Sequence, residues 1–462
     1  MNVDVRSVML RAWSSYLFWI IVVGLVIRVV LGLLFTFPYD SGNWAKIAET
    51  VIAGETLYDR PDNYYAPIWG YLLAFLSKIY LMLGGCSLAN QFDEFLFLDG
   101  FRVSYYNSVM IEPGFAMLIK VALFLVDLAV AFVIRAIVLE MGADSKKANV
   151  AFAIWFLCPL VIYSSSMYLI FDTLEVLFLA LCLLAMIRDR PFIAGGMMLM
   201  AGMVKPFAFY LAPLILVYFL LSRKDLKSKI NHFALCVGGF MAMFVLIFLP
   251  VLVNGEFMDS LTFLTGRVES AEDAIGGGLD YVLLLITTFS SQVFIWMQPV
   301  IIGVILILAG KYYVDGVQDM DKFVKYAIIS MAVVFLWPVS QQCYYLVLIM
   351  LFAMMVPKWG SRDSTATMLL LSVPSVVYLL LSHNFSLLMP LSVYTGLVSP
   401  DWVLDHLLSF NLAIDPLGGY VYDSSRIVVQ VVIMAVMAVI IYKMVKGWRG
   451  PTMKWRFSRE EA

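Results

Sequence analysis

Asp40 follows the first long apolar run in the order Phe37-Pro38-Tyr39-Asp40-Ser41-Gly42-Asn43-Trp44. A carboxylate held at the mouth of a membrane cavity by a rigid helix and a nearby proline can act as a general base, because partial desolvation raises its proton affinity. The same position also suits a solvated loop acid. Asp172 and Glu175 open a leucine-rich helix in Phe171-Asp172-Thr173-Leu174-Glu175, where their spacing puts them on neighbouring parts of one helical face. They could orient a substrate's hydroxyl groups, or simply interact with the positive end of the helix dipole. Lys205 precedes Pro206 inside an apolar run. Proline breaks the helix there, and non-helical backbone at membrane depth is tolerated where it is buried or lines a polar cavity. A lysine at such a break can neutralise a phosphate, or snorkel to the outer headgroups. His383 and Arg426 flank the last outer segment and could meet the same phosphate, or serve as interfacial anchors.

Ionisable groups inside a span each cost about 2.5 to 3.5 kcal/mol at mid-helix on insertion scales, so each needs a partner or a purpose. For Arg28 and Asp127 the expected purpose is a structural polar contact, while Lys120, seven residues before Asp127 on the same face, is expected toward the outer interface. His232, His383 and His406 have no Cys or carboxylate neighbours at metal-ligand spacing, so neither a zinc site nor another divalent metal is expected. The chain contains no Walker motif, glycine-rich nucleotide loop or nucleophile elbow, which argues against energy-coupled transport and against nucleotide-activated chemistry.

These groups are embedded in a chain of 462 residues that is 62% hydrophobic and only 14% charged, with a mean hydropathy of +0.90. An average soluble domain is roughly 45–50% apolar and 25% charged, so most of this chain belongs in lipid. The net charge of -2 offers no basic field for nucleic acid. The five cysteines, several within apolar runs, form no disulfide framework. The first apolar run is too long for a signal-peptide core and lacks a small-residue cleavage site, so it reads as a retained span.

The expected fold class is an all-α polytopic membrane protein. Runs of span length lie near 16–37, 114–137, 149–165, 170–187, 232–253, 292–312, 366–383 and 425–445. Two more runs are broken, at Lys205-Pro206 and around Ser340-Gln341-Gln342, and read as pairs of short helices, giving twelve crossings. The run 66–84 decides the orientation of everything after it. Kept on the outer side as an interfacial or re-entrant helix, it leaves Arg6, Arg11, Arg135, Lys146, Lys147, Arg188, Arg190 and the basic segment 222–230 in the cytoplasm with both termini, as the positive-inside rule requires. One transmembrane domain then covers 1–445, with outer loops at 38–113, 254–291 and 384–423, followed by a basic cytoplasmic tail at 446–462. Cytoplasmic loops are short, so chemistry belongs on the outer face.

Several ordered elements resemble the GT-C superfamily of membrane glycosyltransferases. Asp40 comes just after the first span, then Gly54-Glu55-Thr56-Leu57-Tyr58, then Asn63-Tyr64-Tyr65-Ala66-Pro67-Ile68-Trp69-Gly70-Tyr71 opening a helix. The resemblance continues through Asp127, Cys158-Pro159-Leu160 and Phe171-Asp172, then from Ala194-Gly195-Gly196 through Lys205-Pro206 to Ala212-Pro213. The chain has Tyr168-Leu169-Ile170-Phe171-Asp172 and Gln341-Gln342 where dolichyl-phosphate-dependent relatives often carry other polar motifs, which leaves donor sugar and acceptor open.

The resemblance implies transfer of a sugar, mannosyltransferase-like, from a polyprenyl- or dolichyl-phosphate donor to a hydroxyl of a lipid-linked glycan. That chemistry needs no further cofactor. The departing phosphate takes the charge without a proton, so a base and fixed cations suffice. Asp40 is the expected base, and inversion follows from attack opposite the phosphate. Asp172, Glu175, Lys205, Gln341, Gln342, His383 and Arg426 are the expected substrate contacts, with Tyr58, Tyr64, Tyr65 and Trp69 available to stack on sugar rings. Partners are then the lipid-phosphate sugar, the glycan acceptor and membrane lipid, with no nucleic acid. A membrane transporter or lipid flippase is the rival class. It predicts ligand groups near mid-membrane and two comparable halves.

Overall fold

The computed structural model describes residues 16–59, 63, 65–91, 97–98, 101–102, 109–221, 225–261, 292–316, 318–336, 342–408 and 422–446. The first described helix, α1 (Tyr16–Leu34), is apolar apart from the buried Arg28. A three-residue extended link leads to α2 (Pro38–Ile52), whose opening proline supplies a preset φ where no backbone donor is needed. Then come α3 (Pro67–Met82) and four short strands, β1 (Ala89–Gln91), β2 (Phe97–Leu98), β3 (Phe101–Arg102) and β4 (Val109–Ile111). β1 pairs antiparallel with β4 and β2 with β3. The described residues of the segment 38–113 thus form two helices and two small antiparallel sheets, and the all-α expectation misses these strands.

Next are α4 (Pro113–Glu140), α5 (Ser145–Phe156) and α6 (Pro159–Ile162), which runs into a π-helical turn, Tyr163–Tyr168. α7 (Asp172–Ile187) and α8 (Pro191–Val204) follow. The chain continues through a 3-10 turn, Pro206–Leu211, to α9 (Ala212–Leu221), then α10 (Leu226–Val253) and α11 (Phe257–Ser260). The remaining elements are α12 (Gln292–Asp315), α13 (Met320–Phe335), a 3-10 turn at Gln342–Tyr345, α14 (Leu346–Met354), α15 (Val356–Trp359), α16 (Ser361–Thr395), α17 (Pro400–Trp402) with a π turn at Val403–Leu408, and α18 (Tyr422–Lys446).

Acidic caps open several helices: Glu112 accepts from Phe115 N, Asp144 from Lys147 N, and Asp225 from Ser228 N. The backbone N–H of Lys147 holds the exposed Asp144 carboxyl below the usual carboxylate range. Among the described residues, four helices are long and apolar enough to cross a membrane: α1, α4, α10 and the Ser361–Leu381 part of α16. Counting α5 and α6 as one span bent by 46° makes five, and α3, α8 and α14 are shorter apolar helices. The chain is therefore an all-α integral membrane protein in its main body. The twelve crossings expected from the sequence are a finer division than this count. α16 also runs on past His383, so the segment beginning at residue 384, expected from the sequence to be a loop, is helical as far as Thr395.

Side-chain contacts fix which ends lie together. Lys120, near the start of α4, donates to Gly32 O at 2.7 Å and Phe35 O at 2.6 Å, where α1 ends. Lys120 is 1% exposed, so it caps the carbonyl end of α1 and is not at an interface. Farther along, Arg28 of α1 meets Asp127 of α4 at 2.9 Å, so the two helices run antiparallel. At the far end of α4, Glu140 pairs with Arg188, just beyond α7, at 3.0 Å. The first residues of α7 therefore lie at the end occupied by Asp40, and α8 returns the chain to that end. α10 begins at the opposite end, where His232 lies 3.2 Å from Asp189.

Candidate functional site

α8 stops at Val204 because Pro206 cannot continue it. Lys205 is extended, with φ −145° and ψ 133°. The next backbone N–H groups need acceptors, and Glu175 supplies one: its Oε1 accepts from Ala208 N at 3.0 Å. Glu175 is 1% exposed. Its observed contact is with the turn that presents Lys205.

The Lys205 ammonium does not snorkel. It lies 3.2 Å from Asp172 Oδ1, with both side chains almost wholly buried. Three rings face it, with centroids at 5.0 Å for Tyr344, 5.2 Å for Phe171 and 5.8 Å for Tyr65. Each is close enough for a cation–π contact. Neither carboxylate oxygen of Asp172 makes a hydrogen bond among the described residues. The charge is thus paired, but the acceptor capacity of the buried carboxylate is unused.

Asp40 lies in the first turn of α2. The turn is pinned from several sides. Phe37 stacks on Tyr168 at 4.5 Å, and its N–H donates to Met167 O at 3.1 Å. Ser41 Oγ donates to Phe37 O at 2.7 Å, and Trp44 Nε1 to Leu169 O at 3.1 Å. Their common support is the π turn, which ends at Leu169 with φ 59°, in the left-handed region that a branched side chain rarely adopts. Single π turns inside α-helices recur at functional sites. Asp40, Asp172 and Lys205 all lie within electrostatic range of the Cys343 thiol, and Asp40 also of the Tyr168 hydroxyl. The π turn, the Lys205-Pro206 break and the 3-10 turn at Gln342–Tyr345 therefore meet at one place. Phe207, 4.6 Å from Tyr344, packs the two breaks together.

α2, α3 and the link between them close over this junction. Trp44, Tyr65, Trp69 and Phe171 form one aromatic cluster, with Trp69 stacked on Phe171 at 4.4 Å. Trp69 is 2% exposed, so it supports Phe171 and its face is not open to a sugar ring. Tyr58 is also buried and donates to Tyr65 O at 2.7 Å. Burial first, then Tyr71 and Glu256, push the Tyr58 hydroxyl up, so it remains a donor. Glu256 fastens this loop to the end of α10: its Oε1 accepts from Tyr58 N at 3.1 Å and from the Thr56 hydroxyl. The clasp holds Gly54-Glu55-Thr56-Leu57-Tyr58 where Tyr65 can lie on Lys205.

Of the residues singled out from the sequence, Asp40, Asp172, Glu175, Lys205 and Tyr65 converge here, with Trp69 behind them. Gln342 is buried in the 3-10 turn that carries Cys343 and Tyr344. Gln341 and Tyr64 lie outside the described residues, as do the side chains of His383 in α16 and Arg426 in α18. Sequence reasoning missed Tyr168, Cys343, Tyr344 and Glu256. Tyr344 stands two residues beyond the predicted break, which was the available signal. Among the described residues no cluster of three His, Cys, Asp or Glu could hold a metal ion.

Residues 89–270 match the sequence model of the family described as GPI transamidase subunit PIG-U, which is less than half of the chain. The matched stretch includes Asp172, Glu175, Lys205 and Glu256 and begins after Asp40 and Tyr65. No curated protein matches the chain.

Proposed function

We propose that the chain is a membrane glycosyltransferase that moves a sugar from a polyprenyl-phosphate donor to a hydroxyl of a lipid-linked glycan at the extracytoplasmic face. The observation behind this reading is that a half-buried carboxylate, Asp40, and a caged lysine, Lys205, lie within electrostatic range of the same Cys343 thiol, at the junction where two interrupted helices end. In the reaction the acceptor oxygen bonds to the sugar's C1 as the C1–O bond to phosphate breaks. The acceptor proton goes to Asp40, and the phosphate leaves with the electron pair. Lys205 offsets charge on that phosphate, which needs no protonation. Asp172 accepts hydrogen bonds from sugar hydroxyls. The acidic end of the bundle faces away from the cytoplasm because the opposite end carries Arg135, Lys146, Lys147, Arg188 and Arg190.

The test is transfer from a panel of radiolabelled polyprenyl-phosphate sugars to a lipid extract by the purified protein. Asp40→Asn is expected to keep donor binding and lose transfer by about 100-fold or more, the usual worth of a positioned base. Full activity in that variant removes Asp40 from the mechanism. The family match favours a second reading, in which the same pocket holds a lipid-linked glycan for another subunit to process. On that reading the protein binds glycolipid and no donor yields product.

A further inference from the structure

The buried Asp172–Lys205 pair is incompletely satisfied. Its N–O separation of 3.2 Å balances the charges, yet both carboxylate oxygens lack hydrogen-bond donors among the described residues although Asp172 is 1% exposed. A buried acceptor left without a donor is costly, and permanent structural pairs are usually completed by further hydrogen bonds. The Arg28–Asp127 pair in the same protein is further along: Asp127 Oδ2 accepts from both Arg28 Nε at 2.9 Å and Ser165 Oγ at 2.7 Å, which leaves Oδ1 as its one carboxylate oxygen without a donor among the described residues, where Asp172 has two. The lysine cage is asymmetric as well. Tyr344 and Phe171 are buried, while Tyr65, on the clasped outer loop, is half-exposed. Lys205 can therefore be reached by moving one ring on a loop without unpacking a helix.

We infer that Asp172 is an internal stand-in for a phosphate, holding Lys205 in its cage until a phosphate group displaces the carboxylate and takes the ammonium. The inference rests on the reading of this pocket as a phosphate site and adds an exchange to it. No covalent bond changes: one oxyanion replaces another on Lys205, and the freed carboxylate gains room to accept hydroxyl groups of whatever the phosphate carries. An internal competitor also keeps a buried ammonium from going unpaired when the pocket is empty.

The experiment is calorimetric titration of the full-length protein in detergent with farnesyl phosphate, inorganic phosphate and farnesol, none of which carries a sugar. Farnesyl phosphate should bind and farnesol should not. Binding of inorganic phosphate with equal affinity would assign the site to a free anion, and weaker binding to a lipid headgroup; both outcomes support the exchange. Asp172→Asn, by removing the competitor, should tighten phosphate binding by about tenfold, roughly the worth of one charge-assisted hydrogen bond. Lys205→Met should abolish it. Unchanged or weaker binding in Asp172→Asn, or equal binding of farnesol, overturns the proposal. Should Asp172→Asn not fold, infrared difference spectra of the parent protein with labelled aspartate decide it: farnesyl phosphate must shift a carboxylate band, and no shift defeats the idea. Sugar transfer can fail in every assay while this exchange holds, so the two readings stand or fall separately.

Discussion

Two buried ion pairs divide the ionisable residues by task. Arg28–Asp127 is enclosed at mid-helix: Arg28 Nη1 also donates to Phe156 O at 2.8 Å, and Trp155 Nε1 donates to Asp127 O at 3.0 Å. It joins α1, α4, α5 and the π turn. Removing one partner leaves an uncompensated buried charge, so Arg28→Met or Asp127→Asn should each cost about 3–5 kcal/mol, and an apolar double replacement should recover much of that. Reversible unfolding in mixed detergent measures it, and a double variant no better than the singles would contradict this account. The sequence made the need for partners legible, because charges in apolar runs stand out. It could not supply the partners themselves: pairing between positions 28 and 127 depends on how helices pack. Lys205 was legible for a related reason, since Pro206 marks a break. Glu256 was not, because an acid after Asn254-Gly255 looks like any loop residue until the structure places it against Tyr58.

At the scale of elements, the broken helices carry the site and the closest helix crossing supports them. α8 and α10 approach at Gly195 and Gly239. A Cβ on Gly195 would lie 1.8 Å from Cys236 O, and one on Gly239 would lie 1.8 Å from Phe192 O. Backbone carbonyls cannot rotate away, so the crossing depends on small residues, as in other membrane helix pairs. Gly195→Ala should cost about 1–3 kcal/mol by overpacking and loosen the helix that ends at Lys205. Gly303→Ala is the control: nothing lies within 4 Å of its added Cβ, and alanine favours a helix. Equal thermal stability of the two variants would count against a tight α8–α10 crossing. The sequence revealed both interruptions but not their meeting, which depends on α8 and α14 sharing a neighbour in α7. The short strands β1 to β4 also escaped notice, being only two or three residues long.

Across the whole molecule, charge and chemistry separate by end. Asp40, Asp172, Lys205 and Glu256 gather at one end of the antiparallel α1–α4–α7 set, while Arg135, Lys146, Lys147, Arg188 and Arg190 lie at the other. On the proposed function the basic end is cytoplasmic by the positive-inside rule, and the candidate site faces the other side, where a polyprenyl-phosphate donor would have to work. The native cysteines provide a test without redesign. Cys86, beyond the end of α3, is exposed, whereas Cys158, Cys182, Cys236 and Cys343 are buried. α3 packs on α2, so Cys86 reports on the loop that carries the Asp40 turn. In intact cells a membrane-impermeant maleimide should label the unaltered protein at Cys86 alone. A Cys86→Ser variant carrying Lys146→Cys should be labelled only after the membrane is opened. Labelling of Lys146→Cys in intact cells, with Cys86 protected until lysis, would turn the molecule over. Asp40 would then face the cytoplasm, and no donor or acceptor on the outer leaflet could reach it.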